Sequence, residues 1–159
     1  MINLLFLCTG NSCRSIMAEA ILNNFGSENF RAYSAGSFPT GEIHPLSLET
    51  LKSNNISISG YNSKSWDMFN DKKIDIVITV CDNANNETCP AFLGNSLKAH
   101  WGVPDPAKFK GSESNTKAEF NRIYKMLESR VNKLINLPLE NLERQELQQE
   151  LNAIGLQND

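Results

Sequence analysis

The chain has 159 residues, 40% of them hydrophobic and 21% charged, and 15 Lys and Arg against 18 Asp and Glu give a net charge of −3. That balance argues against a nucleic-acid binder, which carries a basic surplus or patch. No run approaches the roughly 18 apolar residues of a membrane span, and the N-terminus lacks the basic region and small-residue cleavage site of a secretory signal. A single domain over residues 1–159, acting in the cytoplasm as a monomer with neither nucleic acid nor membrane as partner, is therefore expected. In that compartment the four cysteines are expected to be catalytic, redox-active or metal-binding, not structural disulfides.

In chain order, Ile2 to Leu7 reads as a buried strand, a short apolar run ending at a Gly/Asn turn signal. Ser12 is a candidate cap for the helix that follows, with Ile16, Ala20, Leu22 and Phe25 at helical spacing and Gly26 as its stop. A second strand is expected from Phe30 to Ala35, and a second helix from about His44 to Ser53 with Pro45 in its first turn. Residues 54–65 are rich in Ser, Asn and Gly and read as loop, before a short helix carrying Trp66 and Phe69. Ile74 to Val80 is the strongest strand, β-branched and mostly apolar as inside a parallel sheet. A polar, Asn-rich stretch from Asp82 to Thr88 leads to Cys89, and Leu97 to Val103 is a weaker fourth strand. Phe120, Ile123, Tyr124, Leu127, Val131, Leu134 and Ile135 mark a long amphipathic helix ended by Pro138. A last amphipathic stretch from Leu139 to Ile154 is capped by Gly155 and is expected to close the core. Strands alternating with helices predict an α/β fold with a parallel sheet.

The chemistry concentrates in Cys8-Thr9-Gly10-Asn11-Ser12-Cys13-Arg14-Ser15, between the first strand and the first helix. A loop at a helix N-terminus aims backbone N–H groups and the positive helix end at one point. Arg14 adds a planar charged fork suited to a tetrahedral oxyanion. The same field is expected to favour the thiolate of Cys8, the nucleophilic form. Cys81 follows the strongest strand as Cys8 follows the first, so both belong at the carboxyl ends of strands, where open α/β sheets bind ligands. A metal site is not expected from the cysteines, since His44 and His100 are isolated and no second Cys/His pair has ligand spacing.

The loop resembles the phosphate-binding loop of the low-molecular-weight protein tyrosine phosphatase superfamily. The resemblance extends through Ser34-Ala35-Gly36, Val80-Cys81-Asp82, Cys89-Pro90, His100-Trp101-Gly102 and Pro104-Asp105-Pro106, to about Leu137. Cys81 and Cys89 make it most similar to the arsenate reductase branch. The resemblance implies a three-layer fold with a four-stranded parallel sheet flanked by helices. It implies that Cys8 attacks arsenate held by Arg14 and by the amides of Thr9, Gly10, Asn11, Ser12, Cys13 and Arg14, with phosphate and sulfate as competing anions. It further implies that Ser15 lowers the Cys8 pKa by hydrogen bonding and that Asp105 protonates the departing oxygen. Cys81 then attacks Cys8, and Cys89 attacks Cys81, leaving a disulfide for an external reductant, either thioredoxin or a glutathione/glutaredoxin system. No tightly bound cofactor is implied, apart from a weakly implied potassium ion at Asn11, Glu19, Ser65 and Asp67.

Two departures accompany the resemblance. The segment from Cys81 to Cys89 is one residue longer than in the best-known thioredoxin-linked members, leaving the reductant open. After Asp105 the chain reads Pro106-Ala107-Lys108, without the aromatic pair with which tyrosine phosphatases hold a phenyl ring. The alternative activity, a low-molecular-weight tyrosine phosphatase, requires Cys8, Arg14 and Asp105 but neither Cys81 nor Cys89.

Overall fold

Four apolar runs become strands in the computed structural model, which describes residues 1–157. They are β1 (Ile2–Leu7), β2 (Phe30–Ala35), β3 (Ile76–Thr79) and β4 (Leu97–His100). All pair in parallel in the order β2-β1-β3-β4. The chain steps outward from β1 to β2 and then returns to the opposite flank of β1. The order therefore reverses between β1 and β3, and it is outside the carboxyl ends at such a reversal that an open sheet forms its crevice. Leu7 pairs with Thr79 there, and the Val80 N–H donates to the Leu7 carbonyl at 3.0 Å. Cys8 and Cys81 thus leave adjacent strands side by side.

The helices are α1 (Arg14–Phe25), α2 (Pro45–Ser53), the single turn α3 (Asp82–Asn85), α4 (Glu113–Ile135) and α5 (Arg144–Gly155). α4 packs on α1 and α2, while α5 packs on β4 and α4. α1 is enclosed on every side: Ser15 through Leu22 are all buried, whereas Phe25, expected inside, is 46% exposed. α2 begins as expected, with Pro45 in its first turn and the His44 ring nitrogen Nδ1 accepting from the Leu46 N–H at 3.1 Å. α4 buries the predicted stripe, with only Ile135 left half-buried, and Ser112 caps it. Among the described residues no helix is long and apolar enough to cross a membrane.

The third and fourth strands are shorter than their apolar runs. The fourth strand ends at His100, and the next residue, Trp101, still donates its backbone N–H to the Thr79 carbonyl at 2.7 Å; its indole is fully buried and donates to the Leu151 carbonyl of α5 at 3.0 Å. That contact settles the role of the last amphipathic stretch, which closes the core over β4. Gly155 is the final helical residue and not the cap. A Cβ there would lie 2.2 Å from the His100 carbonyl oxygen, so glycine is required by the close approach of α5 to the strand.

Candidate active site

The segment between β1 and α1 is shaped by where its carbonyls go. Asn11 N–H donates to Cys8 O, Phe38 N–H to Thr9 O, Thr40 N–H to Gly10 O and His44 N–H to Ser12 O, at 3.0 to 3.2 Å. With its carbonyls drawn outward, the loop turns its N–H groups inward. Among the described residues, those of Gly10, Ser12, Cys13, Arg14 and Ser15 find no acceptor in the protein. Ser12 does not cap α1: Cys13 occupies that position, and its side chain makes no capping hydrogen bond to the helix. An uncapped helix start joined to unpaired loop amides is suited to binding an anion. Cys13 itself is buried, and burial pushes its thiol up.

The loop is held from behind by Asn11. Its backbone sits at φ +46°, a left-handed conformation that few residues except glycine adopt cheaply. Its fully buried amide pins it there: Nδ2 donates to Ser15 Oγ and to Ser34 Oγ, both at 2.9 Å, and Oδ1 accepts from the Lys64 N–H at 2.8 Å. Gly36, just after β2, leaves room for the loop backbone. A Cβ on it would stand 2.2 Å from Thr9 O and 2.6 Å from Cys8 O.

Arg14 points across the loop. Its Nη1 donates to the Val103 carbonyl at 3.0 Å, its Nη2 lies 3.5 Å from Asp105 Oδ2, and its Nε is buried with no protein partner. An orphaned buried guanidinium N–H beside five free amides completes a cradle for a tetrahedral oxyanion. Asp105 does two things. One carboxylate oxygen caps the short turn Pro106–Lys108 by accepting from the Ala107 N–H at 2.9 Å, while the other faces Arg14. Its negative charge adds a small upward push on the Cys8 thiol.

Cys8 and Cys81, both buried, are hydrogen-bond partners. Two effects act against the loop field at Cys8. Its thiol is pushed up by the hydrogen bond to Cys81 and by burial, against the pull of Arg14. Cys81 is drawn down to about 5, chiefly because it accepts the Cys8 hydrogen, helped by the N–H groups of Thr9 and Ala84 and by Arg14. The Ala84 N–H to Cys81 Sγ distance is 3.4 Å, so Cys81 also caps α3. The two thiols are coupled, and the titration belongs to the pair. Ser15 Oγ accepts from Asn11 Nδ2 at 2.9 Å, which leaves the direction of its own hydroxyl hydrogen open to Cys8.

Cys89 is half-buried and lines a cavity of about 440 Å³ with Thr79, Ala84, Glu87 and His100 among others. His100 links Thr79 Oγ1 at 2.7 Å to Asp82 Oδ1 at 2.9 Å. Sequence reasoning missed Glu87. It accepts from Thr9 Oγ1 at 2.9 Å and from Ser37 Oγ, while Asn83 Nδ2 donates to the same Thr9 hydroxyl at 3.0 Å. The stretch between Cys81 and Cys89 is thus tied to the loop, and nothing in its Asn-rich composition signals this.

The residues considered for potassium do not fit a free cation. Asn11 and Glu19 do come together through Ser34, whose hydroxyl donates to Glu19 Oε1 at 2.6 Å. The Lys64 ammonium, however, lies 3.8 Å from Glu19 Oε1 and donates to the Asn62 carbonyl at 2.8 Å. A second cation beside it would meet a like charge. Ser65 accepts from the Asp67 N–H at 3.2 Å to cap the turn Trp66–Phe69, and no group of three His, Cys, Asp or Glu able to hold a metal occurs among the described residues.

Comparison with known proteins places this geometry in a family. Residues 3–152 match the model of the family described as low molecular weight phosphotyrosine protein phosphatase. A Halalkalibacterium halodurans protein named arsenate reductase is 39% identical over 118 residues, 74% of this chain and 84% of that protein. One of the same name from Staphylococcus aureus is 42% identical over 108 residues, 68% of this chain and 81% of that one. Among solved structures, one described as an arsenate reductase in reduced state superposes with a TM-score of 0.68 at 26% identity, covering 85% of this chain and 97% of that chain. A match over nearly the whole chain, around a strand–loop–helix cradle carrying Cys8 and Arg14, makes this protein a member of the low molecular weight phosphotyrosine protein phosphatase family.

Proposed function

We propose that this chain is an arsenate reductase working by a three-thiol relay through Cys8, Cys81 and Cys89. The observation that carries the reading is the placement of two buried thiols, Cys8 and Cys81, side by side at the carboxyl ends of the paired strands β1 and β3. A phosphatase needs one thiolate there; a second buried thiol in hydrogen-bond contact adds a nucleophile that only a redox step uses. The relatives named arsenate reductase support the same substrate.

In the proposed sequence, the free amides and Arg14 hold arsenate while the proton of the pair moves onto Cys81. The Cys8 thiolate then forms a sulfur–arsenic bond as one arsenic–oxygen bond breaks, and that hydroxyl leaves as water on taking a proton that Asp105 relays from solvent. Cys81 then loses its proton to solvent, and the resulting thiolate attacks the Cys8 sulfur. The sulfur–arsenic bond breaks, its electron pair stays on arsenic, and arsenite departs from a Cys8–Cys81 disulfide. Cys89 attacks Cys81, Cys8 leaves as thiolate, and the oxidised pair becomes Cys81–Cys89. An external dithiol protein then reduces it. Thioredoxin is the reductant we favour, because a Corynebacterium glutamicum protein described as a thioredoxin-dependent arsenate reductase superposes with a TM-score of 0.59 at 26% identity, covering 83% of this chain and 62% of that one.

The test is arsenite release over many turnovers with thioredoxin, thioredoxin reductase and NADPH, for the unaltered chain and for Cys8→Ser, Cys81→Ser and Cys89→Ser. All three variants are expected to stop at one turnover or fewer. Sustained arsenite release by Cys81→Ser would sink the relay, and turnover with glutaredoxin and glutathione alone would reassign the reductant.

A further inference from the structure

The positive charge behind the loop raises a separate question. Glu19 is 6% exposed inside α1, and a carboxylate so buried needs a counter-ion. Lys64 supplies it, and the backbone of the same residue grips the loop. Its backbone N–H holds Asn11 Oδ1 at 2.8 Å, while its ammonium reaches Glu19 at 3.8 Å and Ser34 Oγ at 3.5 Å. Ser34 in turn joins Glu19 to Asn11, the residue whose positive φ shapes the loop. One continuous chain of contacts therefore runs from the ammonium through Glu19, Ser34 and Asn11 to Ser15 at the start of α1. A cavity of about 600 Å³, lined by Glu19, Lys64, Asn23, Tyr33 and Met68 among others, opens onto this pair and gives small ions a route to it.

We propose that Lys64 is a positioning residue whose tethered ammonium takes the place of a dissolved monovalent cation, so that oxyanion binding in this chain is independent of potassium. The inference rests on the oxyanion-loop part of the proposed function and needs no redox step. Burial pushes Glu19 up to about 7 and Lys64 down, the opposing pressures of two charges sharing a dry site. Without the ammonium, the carboxylate faces the cavity with its charge uncompensated, and a free cation of suitable size gains a binding place.

Two readouts separate this inference from the proposed reaction. The first is phosphate affinity by calorimetry in potassium, sodium or choline chloride at equal ionic strength. The second is the thermal midpoint in the same salts, which needs neither phosphate binding nor arsenate reduction. For the unaltered chain both should be the same in all three salts, within about twofold for affinity. Lys64→Ala should bind phosphate about tenfold more weakly in choline chloride, a typical coupling between linked sites, and should regain most of the loss in potassium or ammonium chloride. Its midpoint should rise in the same salts. Lys64→Arg should stay salt-independent. An unaltered chain that loses affinity or midpoint on replacing potassium by choline overturns the inference, whether or not any variant folds. So does a Lys64→Ala protein that matches the unaltered chain in choline, or one that no cation restores.

Discussion

Removing the Cys8 sulfur is the sharpest probe of the site, because the charge on Cys81 depends on it. The Cys81 thiol falls from an ordinary 9.0 to about 5, and its largest cause is the hydrogen bond from Cys8. Four pH units correspond to about 5 kcal/mol of preference for the thiolate. A hydrogen bond to a charged group contributes roughly 1.5–3 kcal/mol of that, or about 1 to 2 pH units. In Cys8→Ala the N–H groups of Thr9 and Ala84 and the Arg14 charge remain, so Cys81 should titrate about 1 to 2 units higher and still below an ordinary thiol. Thiolate absorbance at 240 nm against pH, in a Cys89→Ser background, reads this directly. Stability carries the same signature. Between about 5 and 9 the unfolded chain holds a proton on Cys81 that the folded chain does not, so this group makes stability rise with pH in that window and its contribution is lost as pH falls through about 5. Glu19, raised to about 7, acts in the opposite sense between its ordinary 4.5 and 7, but it is common to both proteins and cancels in their difference. The rise with pH should therefore be smaller in Cys8→Ala by about 1.5–3 kcal/mol when urea unfolding is compared across that range. An unchanged midpoint near 5 in Cys8→Ala, or no thiolate signal below pH 7 in the parent, refutes the coupling of the two thiols.

Two further outcomes test the frame around the site. Gly36→Ala places a methyl group 2.2 Å from Thr9 O, and rigid backbone rather than a flexible side chain must yield. A destabilisation of about 1–3 kcal/mol in urea is expected, with weaker phosphate binding by calorimetry; unchanged affinity contradicts the proposed loop geometry. Trp101→Phe removes the indole N–H that satisfies the buried Leu151 carbonyl. It should lower stability by about 1–3 kcal/mol, and an unshifted urea midpoint would show that α5 does not depend on that bond.

Much of this protein was legible in one dimension. Apolar runs of strand length, alternating with segments of helical period, determined a parallel α/β sheet, because burial on both faces leaves a mark at every position of a run. Cys8 through Ser15 was legible as an anion loop because the N–H groups it needs belong to the backbone and only their spacing must be encoded. Cys81 was placed at the mouth of the site because strands of one parallel sheet end on the same side. What the sequence could not decide was which side chains meet across long separations. The Glu87 carboxylate on Thr9, the Lys64 ammonium on Glu19 and the Val103 carbonyl under Arg14 join residues that share no local pattern. The location of the charge was beyond it for the same reason: the loop alone favours a Cys8 thiolate, and only the contact with Cys81 transfers that charge. A pKa is set by three-dimensional proximity and burial, and neither exists until the chain has folded.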